Sequence, residues 1–181
     1  LKCFFYMQRT SIKPKLLFLG GSSLLFAIWV KEIKNNYEIF ITKNKKEVEK
    51  LGFQIIELNL LSADEIAFAL QNHEIQLVIN AIGLTNVEKC ESDPNKAYEL
   101  NSFIPGQVAK ACSITGKKLI HISTDHFFHD EKKMHTEEDS VSLINTYAKS
   151  KFEGEIKVLS NLPSSLICRT NFFGNGPSHK L

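Results

Sequence analysis

The sequence has 181 residues, the length of a single domain of ordinary size. Its 43% hydrophobic and 23% charged residues exclude a disordered chain, a collagen-like chain and a protein with many membrane spans. The 22 basic residues nearly balance the 20 acidic ones, so the net charge of +2 gives no general electrostatic reason to expect nucleic acid as a partner.

The N-terminal residues 1–14 are expected to form a ragged, disordered end. Residues 16–30 contain no charge and follow several basic residues, as in a signal peptide. The segment is shorter than the ~20 residues that a membrane-spanning helix needs, and Lys31, Glu32 and Lys34 follow it in place of a small-residue cleavage site. We therefore interpret it as a buried strand, a turn and the apolar start of a helix.

Apolar runs alternate with helical patterns along the chain. Strands are predicted at 15–19, 37–42, 53–58, 76–81, 118–123 and 164–168, and helices at 22–35, from Ser62 onward, at 92–115 and at 145–160. Ser62 and Glu65 form the S-x-x-E pattern of a capping box, and the polar, aperiodic residues 129–142 indicate a surface loop. Continuous apolar strands separated by helices predict a parallel sheet covered on both faces, in a doubly wound α/β domain over residues 15–181.

The cysteines and histidines do not indicate a metal site. Cys3, Cys90, Cys112 and Cys168 form no C-x-x-C pair and match no zinc spacing. The histidines near Asp125 straddle a strand, a turn and a loop without a spacing typical of metal ligands. Cysteines in apolar stretches behave as small hydrophobic side chains, so we expect a reducing, cytoplasmic location.

The turn after the first strand has part of the pattern of a dinucleotide-binding loop. Such loops use glycines so that the backbone can approach a pyrophosphate at a helix N-terminus. Here Gly20 is present, but the second and third glycines of a G-x-x-G-x-x-G frame are Ser23 and Phe26. Ser23 can still donate a hydrogen bond to a phosphate. After the second strand, lysines within residues 43–46 replace the usual acid, which favours the 2′-phosphate of NADP, with a solvated charge run as the alternative.

Tyr147 and Lys151 are the strongest candidates for catalysis. Their i, i+4 spacing places both on one face of the predicted last helix. A nearby ammonium favours the phenolate, so we expect Lys151 to lower the pKa of Tyr147 toward that of a working acid or base. Residues 80–83 and 123–125 follow two predicted strands, at the sheet edge where ligands of open α/β sheets bind. Taken singly, each pattern also fits a packed tyrosine or an ordinary turn.

Together and in this order, four segments resemble a known family. They are VINAIGLTNVEKCESDPNKAYELN (78–101), KLIHISTDHFF (118–128), EDSVSLINTYAKSKFEGE (138–155) and CRTNFFGNG (168–176). From about residue 15 to residue 176, the chain resembles the extended short-chain dehydrogenase/reductases, and among them the sugar-nucleotide-binding family of dTDP-4-dehydrorhamnose reductase.

The resemblance implies a Rossmann-like fold and a function. The implied reaction is the NADPH-dependent reduction of the 4-keto group of a nucleotide-activated deoxysugar. The leading candidate is the conversion of dTDP-4-dehydrorhamnose to dTDP-rhamnose, which serves polysaccharide biosynthesis. NADH stays open as the alternative cofactor. The implied partner is the nucleotide-sugar substrate, with no nucleic acid and no membrane, and a homodimer is left open.

The resemblance also implies roles for individual residues. Tyr147 protonates the C4 oxygen as hydride arrives, Lys151 lowers the pKa of Tyr147 and holds the nicotinamide ribose, and Thr124 hydrogen-bonds the reacting oxygen. Asn101 matches an asparagine that supports the proton relay in many relatives. The implied cofactor contacts are Gly20, Ser23, Leu24, Leu25, Asn59, Leu60, Ile82, Gly83, Leu84, Tyr147 and Lys151. The implied substrate contacts are Thr124, Asp125 and Phe172, and no metal is expected.

The sequence departs from the family at several points, among them the loop 126–130, which lacks the glycine usual there. Two glycines of the phosphate loop and the acid for the ribose are absent, and the family continues beyond Leu181 with a part that binds the nucleotide of the sugar. We therefore expect the C-terminal substrate-binding part to be truncated. Two alternatives to an active reductase stay open: a non-catalytic regulatory protein that binds a dinucleotide or a partner on the same fold, and an inactive truncated fragment.

Overall fold

A computed structural model describes residues 13–42, 53–128 and 134–171, so the predicted ragged end lies outside it except for Lys13 and Pro14. The strands are β1 (Lys15–Leu19), β2 (Glu38–Thr42), β3 (Gln54–Ile56), β4 (Leu77–Asn80), β5 (Lys118–Ile122) and β6 (Leu166–Cys168). The helices are α1 (Leu24–Ile33), α2 (Ala63–Asn72), α3 (Val87–Ser92), α4 (Pro94–Tyr98), α5 (Ile104–Thr115) and α6 (Thr146–Asn161), with a π-helical turn, Glu99–Phe103, between α4 and α5.

The six strands form one parallel sheet in the order β3-β2-β1-β4-β5-β6. The predicted doubly wound, Rossmann-like α/β fold is therefore confirmed. Chain order reverses between the neighbouring strands β1 and β4, and the loops that leave their carboxyl ends diverge there. In such sheets this switch point is where a ligand crevice forms.

The alternation of side chains along β1 supplies two cores. Leu17 and Leu19 face the core formed with α2, α5 and α6, whereas Leu16 and Phe18 face α1. On the α1 side, the ring of Phe26 lies 4.9 Å from that of Phe18. The uncharged segment that resembled a signal peptide thus forms a central strand and the helix that covers it. No helix within the described residues is both long and apolar enough to cross a membrane.

The predicted helix at 92–115 is wrong as a single element. α3 begins earlier, at Val87, and ends before Asp93, whose φ of −137° breaks the helix. The Asp93 carboxylate then caps α4 by accepting from the Lys96 N–H at 3.0 Å. A π-helical turn with the buried side chain of Asn101 separates α4 from α5. Such turns are rare inside helices and often mark functional positions.

The predicted capping box at α2 is half formed. Ser62 Oγ accepts from the Glu65 N–H at 3.3 Å, as expected. The Glu65 carboxylate, however, accepts from the side-chain amide of Asn59 at 3.0 Å, and the Ser62 N–H donates to the Asn59 carbonyl at 3.4 Å. The remaining predicted strands and helices match the observed ones to within a few residues at each end, and residues 134–142 contain neither helix nor strand.

Candidate functional site

A cavity of about 510 Å³ opens where the carboxyl ends of β4 and β5 approach the start of α1, at the switch point of the sheet. The predicted site residues that line it are Ser23, Leu25, Ile82, Gly83, Thr124, Asp125, Tyr147 and Lys151. Ala81 and Ser123, in the two segments predicted to reach this edge of the sheet, also line the cavity. Further lining residues, not predicted as ligand contacts, are Thr85, Val87, Ile122, His126, Thr170 and Asn171. The cavity lies where a ligand of an open α/β sheet is expected.

The wall after β1 depends on Gly20 and Ser23. Gly20 has a φ of +97°, which disfavours any side chain, and a Cβ there would lie 3.0 Å from the carbonyl oxygen of Ala81. Ser23 caps α1, since its Oγ accepts from the Phe26 N–H at 3.2 Å. The N-terminus of this 10-residue helix lies beside the cavity. Its free N–H groups and the positive end of its dipole suit an anion.

Phe26, at the position of the third loop glycine, is accommodated in the core beneath α1. Its side chain is 1% exposed. Its ring packs against Phe18 of β1 and lies 5.5 Å from the ring of Phe53, just before β3. The aromatic residues of the neighbouring strands therefore replace the close backbone contact that a glycine provides.

Asn80 and His121, both fully buried, hold one side of the turn after β4. Asn80 Oδ1 accepts from the Ile82 N–H at 3.1 Å, which directs its Nδ2 toward His121 Nδ1, 3.2 Å away. Burial holds the pKa of His121 well below its usual value, and the charge of Lys151 lowers it further. The imidazole is therefore neutral, and Nδ1 accepts the hydrogen bond from Asn80.

Asn101 holds the other side of the same turn. Its Oδ1 accepts from the Leu84 N–H at 2.7 Å, and its Nδ2 donates to the Leu84 carbonyl and to Ser150 Oγ, both at 3.0 Å. A Cβ at Gly83 would lie 3.0 Å from Asn101 Oδ1, so this glycine lets the amide approach. Ser150 Oγ in turn donates to the Tyr147 carbonyl at 2.9 Å. Asn101 thus connects the turn after β4 to the helix that carries Tyr147.

Tyr147 and Lys151 both line the cavity, but the predicted lowering of the Tyr147 pKa is wrong. Lys151 is 4% exposed, and its Nζ donates to the Ile122 carbonyl at 2.7 Å. Burial lowers the pKa of Lys151 to about 8, against an opposing effect of Glu155. Burial also raises the pKa of Tyr147, and the nearby Thr124 side chain offsets only part of this. Loss of hydration of the phenolate outweighs the opposing effect of Thr124.

The end of β5 brings two hydroxyls to the cavity. Thr124 Oγ1 accepts from the His126 N–H at 3.1 Å, and the Thr124 side chain lies close enough to the Tyr147 hydroxyl to lower its pKa. The Ser123 hydroxyl is buried and makes no hydrogen bond to any described residue. An unpaired buried hydroxyl costs about 1–3 kcal/mol. Ser123 lines the cavity, but its hydroxyl oxygen is shielded from solvent, so a ligand would reach this oxygen only after a local rearrangement.

Some predicted contacts lie elsewhere. Asn59 borders another hollow, of about 450 Å³, beside β3 and α2, and neither Asn59 nor Leu60 lines the cavity at the switch point. Leu24 is the first residue of α1. Phe172 and the lysines within residues 43–46, on which the NADP preference was based, lie outside the described residues.

His126, which the sequence analysis considered only as a metal ligand, belongs to the cavity wall. Its ring centroid lies 5.7 Å from that of Tyr147, and its Nε2 lies 3.1 Å from Asn145 Nδ2. Asn145 Oδ1 caps α6 by accepting from the Ala148 N–H at 2.8 Å. One feature of the sequence could have indicated this position: His126 directly follows residues 123–125, which were predicted to lie at the ligand-binding edge of the sheet. In the part of the chain that the structure describes, no three His, Cys, Asp or Glu side chains could hold a metal ion.

Comparisons with known proteins match this architecture. The family model described as RmlD substrate binding domain matches residues 15–178. The probable low-salt glycan biosynthesis reductase Agl14 of Haloferax volcanii is 29% identical over 154 residues, which are 84% of this chain and 51% of that protein. The methionine adenosyltransferase 2 subunit beta of Rattus norvegicus is 30% identical over 113 residues, which are 62% of this chain and 34% of that protein.

A solved structure, the dTDP-4-dehydrorhamnose reductase of Clostridium acetobutylicum, superposes with a TM-score of 0.74 at 30% sequence identity. The superposition covers 90% of this chain and 55% of that protein. The chain therefore spans about half the length of these two reductases, and a third of the adenosyltransferase subunit.

Proposed function

The chain belongs to the family described as RmlD substrate binding domain, and from this membership we propose that it carries the catalytic residues of a sugar-nucleotide reductase. The proposed reaction is the NADPH-dependent reduction of the 4-keto group of a nucleotide-activated deoxysugar, dTDP-4-dehydrorhamnose to dTDP-rhamnose. The observation that supports it most is that Thr124, Tyr147 and Lys151 line one cavity at the switch point of the sheet. The names of the two reductase relatives support the same class of reaction.

The residues present fit a dinucleotide. A Cβ at Gly20 or at Gly83 would lie only 3.0 Å from a protein oxygen, so both positions require glycine. The backbone near the cavity therefore carries no side chain at these two positions. The start of α1, with Ser23, would hold the pyrophosphate. Lys151, which lines the cavity, would bind the nicotinamide ribose. NADPH, when bound, supplies the hydride.

The side chains of the cavity are suited to protonating a carbonyl oxygen. The raised pKa of Tyr147 keeps its hydroxyl protonated at neutral pH, so it acts as the acid. The Thr124 hydroxyl, which lines the same cavity as Tyr147, would orient the reacting oxygen beside it. Lys151, with a pKa of about 8, is mostly charged at neutral pH and would stabilise the phenolate after proton transfer. Asp125, on the same wall, would bind a sugar hydroxyl.

The first test is cofactor binding by this chain. Titration with NADPH and, separately, NADH is followed by the fluorescence of the single tryptophan, Trp29, and by calorimetry. We expect micromolar affinity, with NADPH preferred. A folded chain that binds neither would contradict the proposed hydride transfer for this polypeptide.

The second test is turnover with dTDP-4-dehydrorhamnose, measured as oxidation of NADPH. Tyr147→Phe removes the acid but keeps the ring, so we expect turnover to fall by about 100-fold or more while NADPH affinity changes little. Retention of full turnover by this variant would rule out Tyr147 as the acid.

A second candidate is a non-catalytic subunit that binds a dinucleotide or a partner protein. The observation that favours it is the similarity to a protein named as the beta subunit of methionine adenosyltransferase 2. Under this alternative the wild-type chain binds NADPH but shows no turnover with nucleotide sugars, and Tyr147→Phe has no turnover to lose. The wild-type assay therefore separates the two candidates before any variant is made.

A further inference from the structure

α3 lies between the two sides of the cavity and contacts both of them through adjacent residues. On one side, Cys90 is fully buried, and its Sγ donates to the Leu84 carbonyl at 3.3 Å, in the turn after β4. On the other side, the Glu91 carboxylate accepts two hydrogen bonds from Thr146, the first residue of α6. The short helix therefore connects the turn after β4 to the start of the helix that carries Tyr147.

The contact between Glu91 and Thr146 is bidentate, because each carboxylate oxygen accepts one hydrogen bond. Glu91 Oε1 accepts from the Thr146 N–H at 2.6 Å, and Glu91 Oε2 accepts from Thr146 Oγ1 at 2.8 Å. These hydrogen bonds hold the pKa of Glu91 below its ordinary value, so the carboxylate is charged at neutral pH. A negative charge at the N-terminus of a helix interacts favourably with the helix dipole.

The position of this contact gives it a consequence for Tyr147. The N–H of Thr146 is one of the N-terminal groups that a helix cannot satisfy internally. Asn145 already accepts from the Ala148 N–H, so Glu91 provides a second cap, from a residue 55 positions away in the sequence. Tyr147 is the next residue after Thr146. The first turn of α6 is therefore held both locally and by α3.

We propose that Glu91 is a positioning residue for Tyr147, because its carboxylate fixes the first turn of α6 so that the Tyr147 hydroxyl stays within reach of Thr124 and of a bound carbonyl. The role in turnover depends on the proposed function, in which Tyr147 is the acid. The effect of Glu91 on the position of Tyr147 does not depend on the proposed function, since the contact with Thr146 exists whatever the cavity binds. An error in the placement of a catalytic group by about 1 Å can cost two orders of magnitude in rate.

The test uses variants that remove one side of the contact at a time. Glu91→Ala removes the acceptor. Thr146→Pro removes both donors and suits the first position of a helix, and the extended backbone of Asn145, with φ −143° and ψ 169°, is compatible with a following proline. Glu91→Gln keeps an oxygen for the Thr146 N–H and an amide for its hydroxyl. Glu88→Ala, on the same exposed helix, is the matched control.

Two measurements are made on each variant. The first is turnover with dTDP-4-dehydrorhamnose, in which we expect Glu91→Ala and Thr146→Pro each to lower kcat by about tenfold with NADPH affinity nearly unchanged. The second is the pKa of the Tyr147 phenol, from the ultraviolet titration of each protein minus that of its Tyr147→Phe counterpart. We expect this pKa to fall in both variants, because a loosened first turn exposes the ring to water.

The pattern across variants decides the outcome. We expect Glu91→Gln and Glu88→Ala to resemble wild type, and Glu91→Ala to have no further effect in the Thr146→Pro background. A Tyr147 pKa unchanged in both Glu91→Ala and Thr146→Pro would overturn the proposal, as would a Glu91→Gln variant as impaired as Glu91→Ala. If wild type shows no turnover, the proposed function fails, while the titration still tests the positioning of Tyr147.

Discussion

The two walls of the cavity are built in different ways. The wall at the start of α1 depends on near neighbours in the sequence. Ser23 Oγ accepts from the Phe26 N–H and caps the helix, and the Ser23 N–H donates to the Gly20 carbonyl at 2.8 Å and closes the turn. The wall formed with α6 depends on distant segments. Asn101 bonds to residues 17 and 49 positions away, and Glu91 to a residue 55 positions away.

This difference explains which wall tolerates sequence change. Several residue types can cap a helix, so Ser23 in place of a glycine leaves the first turn of α1 intact. A long-range network needs every partner in place, because a buried polar group left unpaired costs about 1–3 kcal/mol. We therefore expect substitutions in the wall formed with α6 to have the larger effects.

The largest effect is expected at Gly154, where α6 crosses the π-helical turn. A Cβ at Gly154 would overlap the carbonyl oxygen of Asn101, and because both groups are backbone, neither moves away easily. We expect Gly154→Ala to lower the free energy of unfolding by about 3 kcal/mol, measured by urea denaturation. The control is Gly106→Ala in α5, whose Cβ would lie 3.2 Å from Lys157 Cβ, a tight contact but not an overlap. Equal stability of the two variants would contradict this close packing.

The buried Lys151 ammonium predicts a dependence of stability on pH. Its pKa falls from an ordinary value of 10.5 to about 8 in the folded chain, so between these values the unfolded chain binds more protons. The contribution of Lys151 to the free energy of unfolding therefore rises with pH across this window, and below about pH 8 the whole cost remains.

Lys151→Met isolates this contribution. We expect the variant to be more stable than wild type below pH 8, by up to about 3 kcal/mol, and this advantage to shrink as the pH approaches 10.5. Comparing the two proteins at each pH cancels the Cys112 thiol, whose pKa burial raises to about 12. A difference in stability that stays constant with pH would contradict the lowered pKa of Lys151.

A smaller effect is expected at Ser123, where a substitution should raise stability and lower ligand affinity. Ser123→Ala removes a buried hydroxyl that has no partner among the described residues, so the free energy of unfolding should rise by about 1 kcal/mol. The affinity for NADPH or for the nucleotide sugar should fall if the ligand satisfies this hydroxyl. Denaturation and calorimetric titration measure the two quantities. Unchanged affinity for both ligands would show that Ser123 does not contact them.

The smallest effect is expected in the wall at the start of α1. Ser23→Ala removes the cap of α1 and should lower the free energy of unfolding by about 1 kcal/mol, whereas Ser23→Gly should lower it by only a few tenths. Ser23→Gly also leaves the N–H groups of α1 free for a phosphate, so NADPH affinity should be kept. A greater loss of stability in Ser23→Gly than in Gly154→Ala would reverse the contrast between the two walls.

Much of the fold could be predicted because its patterns are local. The uncharged run at 16–19 followed by a glycine turn indicated a buried strand, and β1 lies there. The i, i+4 spacing of Tyr147 and Lys151 indicated one helix face, and both side chains line the cavity. The single helix predicted at 92–115 was wrong because helical periodicity reports neither the break at Asp93 nor the π-helical turn Glu99–Phe103.

The electrostatics of the site could not be predicted in the same way. The spacing of Lys151 and Tyr147 suggested a lowered tyrosine pKa, but spacing does not contain the loss of hydration that raises it. The contact of Glu91 with Thr146 left no signal in the sequence, because nothing in either segment indicates the other.

The order of the strands, the glycine turn after β1 and the candidate catalytic pair follow from the sequence alone, because the periods of helices and strands are set by neighbouring residues. Three features exist only in the folded chain: the raised pKa of Tyr147, the hydrogen bonds of Asn101 to Leu84 and Ser150, and the cap that Glu91 adds to α6. Each depends on which distant groups come together and on how much water they exclude, and a linear pattern carries neither quantity.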